Sequence, residues 1–166
     1  MGSGVGVTTG TGTSHHAPDE IVAALAAMPG QIDRSLDGQP DEALVRPARD
    51  GGWGVVEIMP HLRDWEEIFL QRVRAILTED RPFLESYDDE LWVIERDYRG
   101  QDTASTLDQF RQVREELVEM LRDLPAEAWH RTAEHEVHGP ITLLWLAGQI
   151  ASHDAEHREQ VRDALA

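Results

Sequence analysis

Four stretches of the chain carry apolar residues at helical spacing, and polar, proline- or glycine-rich segments separate them. The first opens at Pro18-Asp19-Glu20, where Asp19 is placed to cap a helix and the acids suit its positive end. Ile21, Leu25, Met28, Ile32 and Leu36 form its stripe. Pro29-Gly30 interrupts that stripe and predicts a bent or split element, because proline removes a helical hydrogen bond. Asp37-Gly38-Gln39-Pro40 ends it, Asp41 to Val45 suits one extra turn, and Arg46 to Gly52 reads as a loop. The second stretch, Gly54 to Leu77, places Val55, Ile58, Leu62, Trp65, Phe69 and Ile76 on one face, with Pro60 predicting a kink. The third runs from Ser105 to Leu124, with Leu107, Phe110, Val113, Leu117, Met120 or Leu121, and Leu124 as a stripe that reads as structural. The fourth runs from Ile141 to Leu165. Between the second and third, Thr78 to Thr103 is irregular, and Tyr87 to Trp92 mixes acids with aromatics as a short helix or lid. Glu127-Ala128-Trp129 makes a further turn after Pro125. The alternation of Thr132, His135 and Val137 is too weak to predict a strand, and Gly139-Pro140 reads as a turn. The expectation is an all-α chain: a four-helix bundle over 18–166, with crossover connections and short extra helices. A Gly/Thr/Ser-rich leader over 1–17, containing His15 and His16, is expected to be disordered.

The fourth stripe has two gaps. It runs Leu146, Ile150, then Val161 and Ala164, and the intervening core-facing positions hold His153 and His157. Side chains at i and i+4 sit above one another on a helix. Two imidazoles therefore point together into the core, and burying them costs free energy unless something satisfies them. A metal ion does so, as does simple packing with hydrogen-bonded neighbours. A third ligand would favour the metal. His61, beside the stripe of the second segment, is that candidate. Glu57, one turn earlier, suits a capping role and also a place behind His61; Asp64 lies three residues after it. His130, His135 and His138 fall in a loop region, with His138 nearest the last helix.

Composition narrows the function classes. The chain has 32 acidic residues against 15 basic ones, a formal charge of −17, and every base is arginine. Such a surface repels phosphate backbones and excludes nucleic acid as the expected partner. No apolar run approaches the roughly 20 residues that span a bilayer, and the first residues lack the pattern of a secretory signal. The absence of cysteine removes disulfides, zinc-thiolate sites and a cysteine nucleophile, and the cytoplasm is the expected compartment.

With Trp53 before the second helix, His61-Leu62-Arg63-Asp64 near its middle, Gly139-Pro140-Ile141-Thr142 before the last and His153, His157 and Gln160 on it, the chain resembles the DinB/YfiT-like family of metal-dependent enzymes. The resemblance covers about Asp19 to Leu165. It implies a DinB-type bundle that often dimerises, with His61, His153 and His157 holding one divalent metal, zinc or nickel. Two residues depart from the family pattern: Gly54 stands where relatives often place a serine cap, and Pro60 sits beside His61. Three imidazoles leave a coordination position open, which is the pattern of catalytic rather than structural zinc. The metal would act on water, as in a hydrolase, or on the thiol of a low-molecular-weight cosubstrate such as mycothiol or bacillithiol, as in an S-transferase. Arg63, Arg96, Arg99 or Arg158 would have to recruit an acidic thiol, and the substrate is a small molecule. A metal- or ligand-binding stress-response bundle without turnover, and a bundle with packed histidines, are the alternative readings.

Overall fold

The computed structural model describes residues 17–48 and 51–166, so the expected leader lies outside the described residues except for Ala17. Four helices form the bundle: α1 (Pro18–Leu36), α3 (Val55–Thr78), α5 (Thr103–Leu121) and α6 (Leu143–Leu165). Two short helices, α2 (Asp41–Val45) and α4 (Trp92–Glu95), and 3-10 turns at Tyr98–Gly100 and Ala126–His130 lie in the connections. Helix α3 packs along α5 and α6, and α1 packs along the same two. Thus α1 and α3 are diagonal partners, and the chain crosses the bundle twice rather than walking around it.

Local chemistry sets the ends. Pro18 occupies the first turn of α1, where its missing N–H costs nothing, and Ala17 is the cap residue; Asp19 sits inside the helix instead of capping it. Asp102 caps α5 by accepting from Ser105 N at 2.7 Å, and Thr142 caps α6 by accepting from Trp145 N at 3.1 Å. Before α3, Glu57 accepts from Gly54 N at 2.7 Å, the capping role expected of it. A Cβ at Gly54 would lie 2.1 Å from the Arg46 carbonyl oxygen, so a serine cap does not fit where the loop comes this close.

Three short strands, which the sequence pattern did not predict, pack against one end of the bundle. Strand β2 (Thr132–His135) pairs antiparallel with β3 (Gly139–Thr142) and parallel with β1 (Phe83–Leu84). Only Ala133 and Ile141, directly paired, bring apolar side chains from the hairpin into the core. One buried pair is too short a repeat to register as alternation. Ile141 therefore belongs to a strand, and α6 begins at Leu143.

The core is divided along the bundle axis. One cluster gathers Leu25, Phe69, Val73, Leu117, Leu146 and Ile150; the other gathers Met28, Ile32, Ile58, Leu62, Phe110 and Val161. Each long helix contributes to both, and the break falls between Leu25 and Met28, Leu62 and Phe69, Phe110 and Leu117, and Ile150 and Val161. The buried residues in that gap are polar. Arg114, only 1% exposed, donates from Nε and Nη2 to Glu66 and from Nη1 and Nη2 to Asp154. Its Nη1 also donates to the carbonyl oxygen of Leu25 at 3.1 Å. That carbonyl would normally receive the N–H of residue 29, which is proline. The guanidinium thus takes the carbonyl that Pro29 leaves without a donor, and α1 is one continuous helix through a position where a bend or a split was expected. One side chain of α5 so ties together all four helices.

Candidate metal centre

His61 comes from α3, and His153 and His157 come from successive turns of α6. Their Nε2 atoms form a near-regular triangle: 3.0 Å between His61 and His157, 3.0 Å between His153 and His157, and 3.4 Å between His61 and His153. Among the described residues, these three are the cluster with the spacing of metal ligands. Three imidazole nitrogens placed 2.0–2.1 Å from a common tetrahedral centre lie roughly 3.3 Å apart. The observed edges come within about 0.3 Å of that requirement.

Without a cation the arrangement is unfavourable. Each Nε2 offers either one proton or one lone pair. Of three such atoms at least two are of the same kind, so at least one edge sets two lone pairs or two N–H groups face to face. Tautomers are set from behind. His157 Nδ1 donates to Gln160 Oε1 at 2.9 Å, which turns the Nε2 lone pair inward. His61 Nδ1 is buried without a hydrogen-bond partner and faces Asp89 Oδ2 at 3.8 Å. Asp89 in turn accepts from Trp65 Nε1 at 2.7 Å. Burial, then the neighbouring His157, pulls the His61 pKa down to about 4. Burial and both partner rings pull His153 to about 2, and burial lowers His157 although Gln160 and nearby acids oppose it. All three are therefore neutral at pH 7, the form that ligates.

The triangle opens on a pocket of about 880 Å³. Trp53 stands edge-on to His61 with ring centres 4.9 Å apart; Phe69 and Trp65 stand 5.5 Å and 6.1 Å from His153. Tyr87 and Trp145 also line the pocket. Trp92 and Trp129, in contrast, are buried in the body of the domain.

Pro60 is accommodated inside α3, and His61 remains in the triangle. Glu57 and Asp64 are buried but do not touch His61. Glu57 takes Gly54 N and Arg99; Asp64 takes Arg63, Arg96 and the Tyr98 hydroxyl. The acid behind His61 is Asp89, which sequence reasoning left unassigned within an irregular run of acids and aromatics. Arg63, Arg96 and Arg99 are held by these carboxylates, and Arg158 donates to Gln31 at 2.9 Å. None of the four lines the pocket; Arg72 does. His135 and His138, on the β2–β3 hairpin, also line it, while His130 lies outside it.

The chain is similar in sequence and fold to known proteins. The family model of the DinB superfamily matches residues 24–161. A Bacillus subtilis protein named "Putative metal-dependent hydrolase YfiT" is 26% identical over 145 residues, covering 87% of this chain and 82% of its own. A Geobacillus kaustophilus protein of the same description is 27% identical over 143 residues, covering 86% and 80%. The solved structure of YfiT superposes with a TM-score of 0.81 at 25% identity, covering 89% of this chain and 85% of that one. It is described as "a probable metal-dependent hydrolase with an unusual four-helix bundle topology".

Proposed function

This chain belongs to the DinB superfamily, and from that premise we propose that it is a metal-dependent enzyme acting on a small molecule, with His61, His153 and His157 as its metal ligands. The observation that carries this reading is the Nε2 triangle, whose edges of 3.0–3.4 Å suit one divalent ion and little else. Relatives named as metal-dependent hydrolases support the reaction class. A divalent ion at this position supplies a Lewis acid that polarises a carbonyl or lowers the pKa of a water or thiol. Imidazole ligands suit zinc or nickel. The protein's own part is to present three neutral rings, fix the His157 tautomer through Gln160, and place Asp89 behind His61. Trp53, Trp65 and Phe69 wall the reacting end with apolar surface, which strengthens electrostatic effects there.

The reaction is a hydrolysis, or an S-transfer with a low-molecular-weight thiol as cosubstrate, since the chain has no cysteine of its own. We place the protein in the cytoplasm as a homodimer. No helix among the described residues is long and apolar enough to cross a membrane. Phe83, Leu91, Ile94 and Val137 are exposed apolar side chains that a partner subunit would cover.

The reading is tested by elemental mass spectrometry of untagged protein. About one zinc or nickel per chain is expected, lost in the His153→Ala/His157→Ala variant. Absence of metal after incubation with either ion would remove the site. A subtler expectation concerns Gln160. Its replacement by alanine frees the His157 ring and should weaken zinc binding about tenfold or more in competition with a chromogenic chelator. An unchanged affinity would mean that Gln160 does not orient the ring.

A further inference from the structure

The far end of the same pocket holds a cation with no carboxylate. Arg72 is only 8% exposed and lines the cavity. Its guanidinium donates to the backbone carbonyl of Glu85 and packs against two aromatic faces, 5.5 Å from the Trp65 ring centre and 5.9 Å from Tyr87. Among the described residues no acid lies within the 4.0 Å of a salt bridge. In a chain with 32 acidic residues this is notable: the other deeply buried guanidinium, Arg114, is held by two carboxylates. Burying an unpaired charge is costly. Burial accordingly lowers the Arg72 pKa, with only Tyr87 opposing it. A second donor lines the same cavity. His135 Nδ1 accepts from Val137 N at 3.1 Å and His138 N at 3.4 Å, so the proton of the neutral ring sits on Nε2.

Position relates this end to the histidine triangle. Arg72 follows His61 by eleven residues, about three helical turns, and so shares its face of α3. The side chain leans toward the helix N-terminus, over Trp65. Since Trp65 lies 6.1 Å from the His153 ring, the guanidinium carbon is at most about 12 Å from that ring. The space between is walled by Trp65, Tyr87 and Trp145.

The geometry points to Arg72, assisted by His135, as the anchor for an anionic group of the substrate, most simply a carboxylate. The substrate class follows: a small organic acid whose anion and reacting group are separated by a flat or apolar body of up to about 12 Å. The position of the reacting end rests on the metal site proposed above; the anion anchor does not.

The test uses EDTA-treated protein at pH 8, so that a carboxylate has no metal to bind. Calorimetric titration with 4-phenylbutyrate is compared with its neutral analogue 4-phenylbutyramide. The acid is expected to bind about tenfold tighter or more, the range of a charge-assisted bond. Arg72→Gln and Arg72→Met should erase the preference. Arg72→Met, which keeps the packing and removes a buried unpaired charge, should melt no lower than the parent. Equal binding of acid and amide by the parent, or a preference kept in Arg72→Gln, overturns the anchor. So does a fall of more than about 5 °C in the melting temperature of Arg72→Met, which would make Arg72 structural. Zinc stoichiometry on the same preparations separates the two readings. Acid preference without zinc binding sinks the metal site alone, and zinc binding without acid preference sinks the anchor alone.

Discussion

Replacing Arg114 with alanine is expected to cost the domain about 3–5 kcal/mol, read as a shift of the urea midpoint at pH 7.5. The guanidinium is 1% exposed and makes four hydrogen bonds to Glu66 and Asp154 and one to Leu25 O. Burial alone would lower its pKa, but the two carboxylates outweigh that and keep it charged. Without it, two buried acids face each other and the Leu25 carbonyl loses its partner. Both acids are already raised by burial, against the pull of Arg114. In the variant they must take up protons to stay buried. Much of the lost stability should therefore return as pH falls toward 5. The triple change Glu66→Met/Arg114→Leu/Asp154→Leu should recover much of it at pH 7.5, because a complete apolar replacement leaves no orphan charge. A midpoint for Arg114→Ala within about 0.5 kcal/mol of the parent would show that the polar layer contributes nothing net.

The second large effect is on pH dependence. The metal-free protein is expected to lose stability steeply as pH falls from 6.5 toward 4. The unfolded chain's histidines take up protons near their ordinary value of 6.5, whereas folded His61 does so only near 4 and His153 lower still. Between those values the unfolded state holds more protons, so acidification favours unfolding. The stabilisation is whole above about 6.5 and lost on descent through the folded values. His61 alone accounts for about 3 kcal/mol at full effect. His157, lowered in the same direction, adds to the slope. Glu66 and Asp154 act oppositely: raised by burial, they take up protons first in the folded state and stabilise it on acidification. The His61→Ala/His153→Ala/His157→Ala variant isolates the histidine part. Urea titrations at pH 7.5 and 5.0 should show a much smaller loss in that variant than in the parent. An equal loss would mean that the rings are not held neutral.

The bundle and the triangle were legible in the sequence because both depend on periodicity. Gaps in the α6 stripe at His153 and His157, and His61 beside that of α3, are read by counting residues along a helix. What periodicity cannot see is the partner across the bundle. Arg114 stands between Phe110 and Leu117 where the stripe calls for an apolar residue; Val113, beside it, satisfies the pattern and hides the guanidinium. Pro29 looked like a break because its compensating donor lies 85 residues away. Asp89 and Arg72 escaped for related reasons. The first comes from a connection with no repeat, and the second is a charged residue on a core face whose meaning depends on the absence of a nearby acid. The strands failed on length, with one buried pair in the hairpin.

The two halves of the triangle are separated by 92 and 96 residues of sequence, and the second half lies on the last helix. The crossing connections mean that α6 completes the bundle only after α1, α3 and α5 have been laid down by the ribosome. A chain still missing its last helix therefore has a single site histidine, whose affinity for an ion is that of an isolated imidazole. An ion at the finished triangle would act as a latch on α6. It would tie the last-made helix of the bundle to α3, and its effect would fall on how slowly the domain opens rather than on how quickly it first forms.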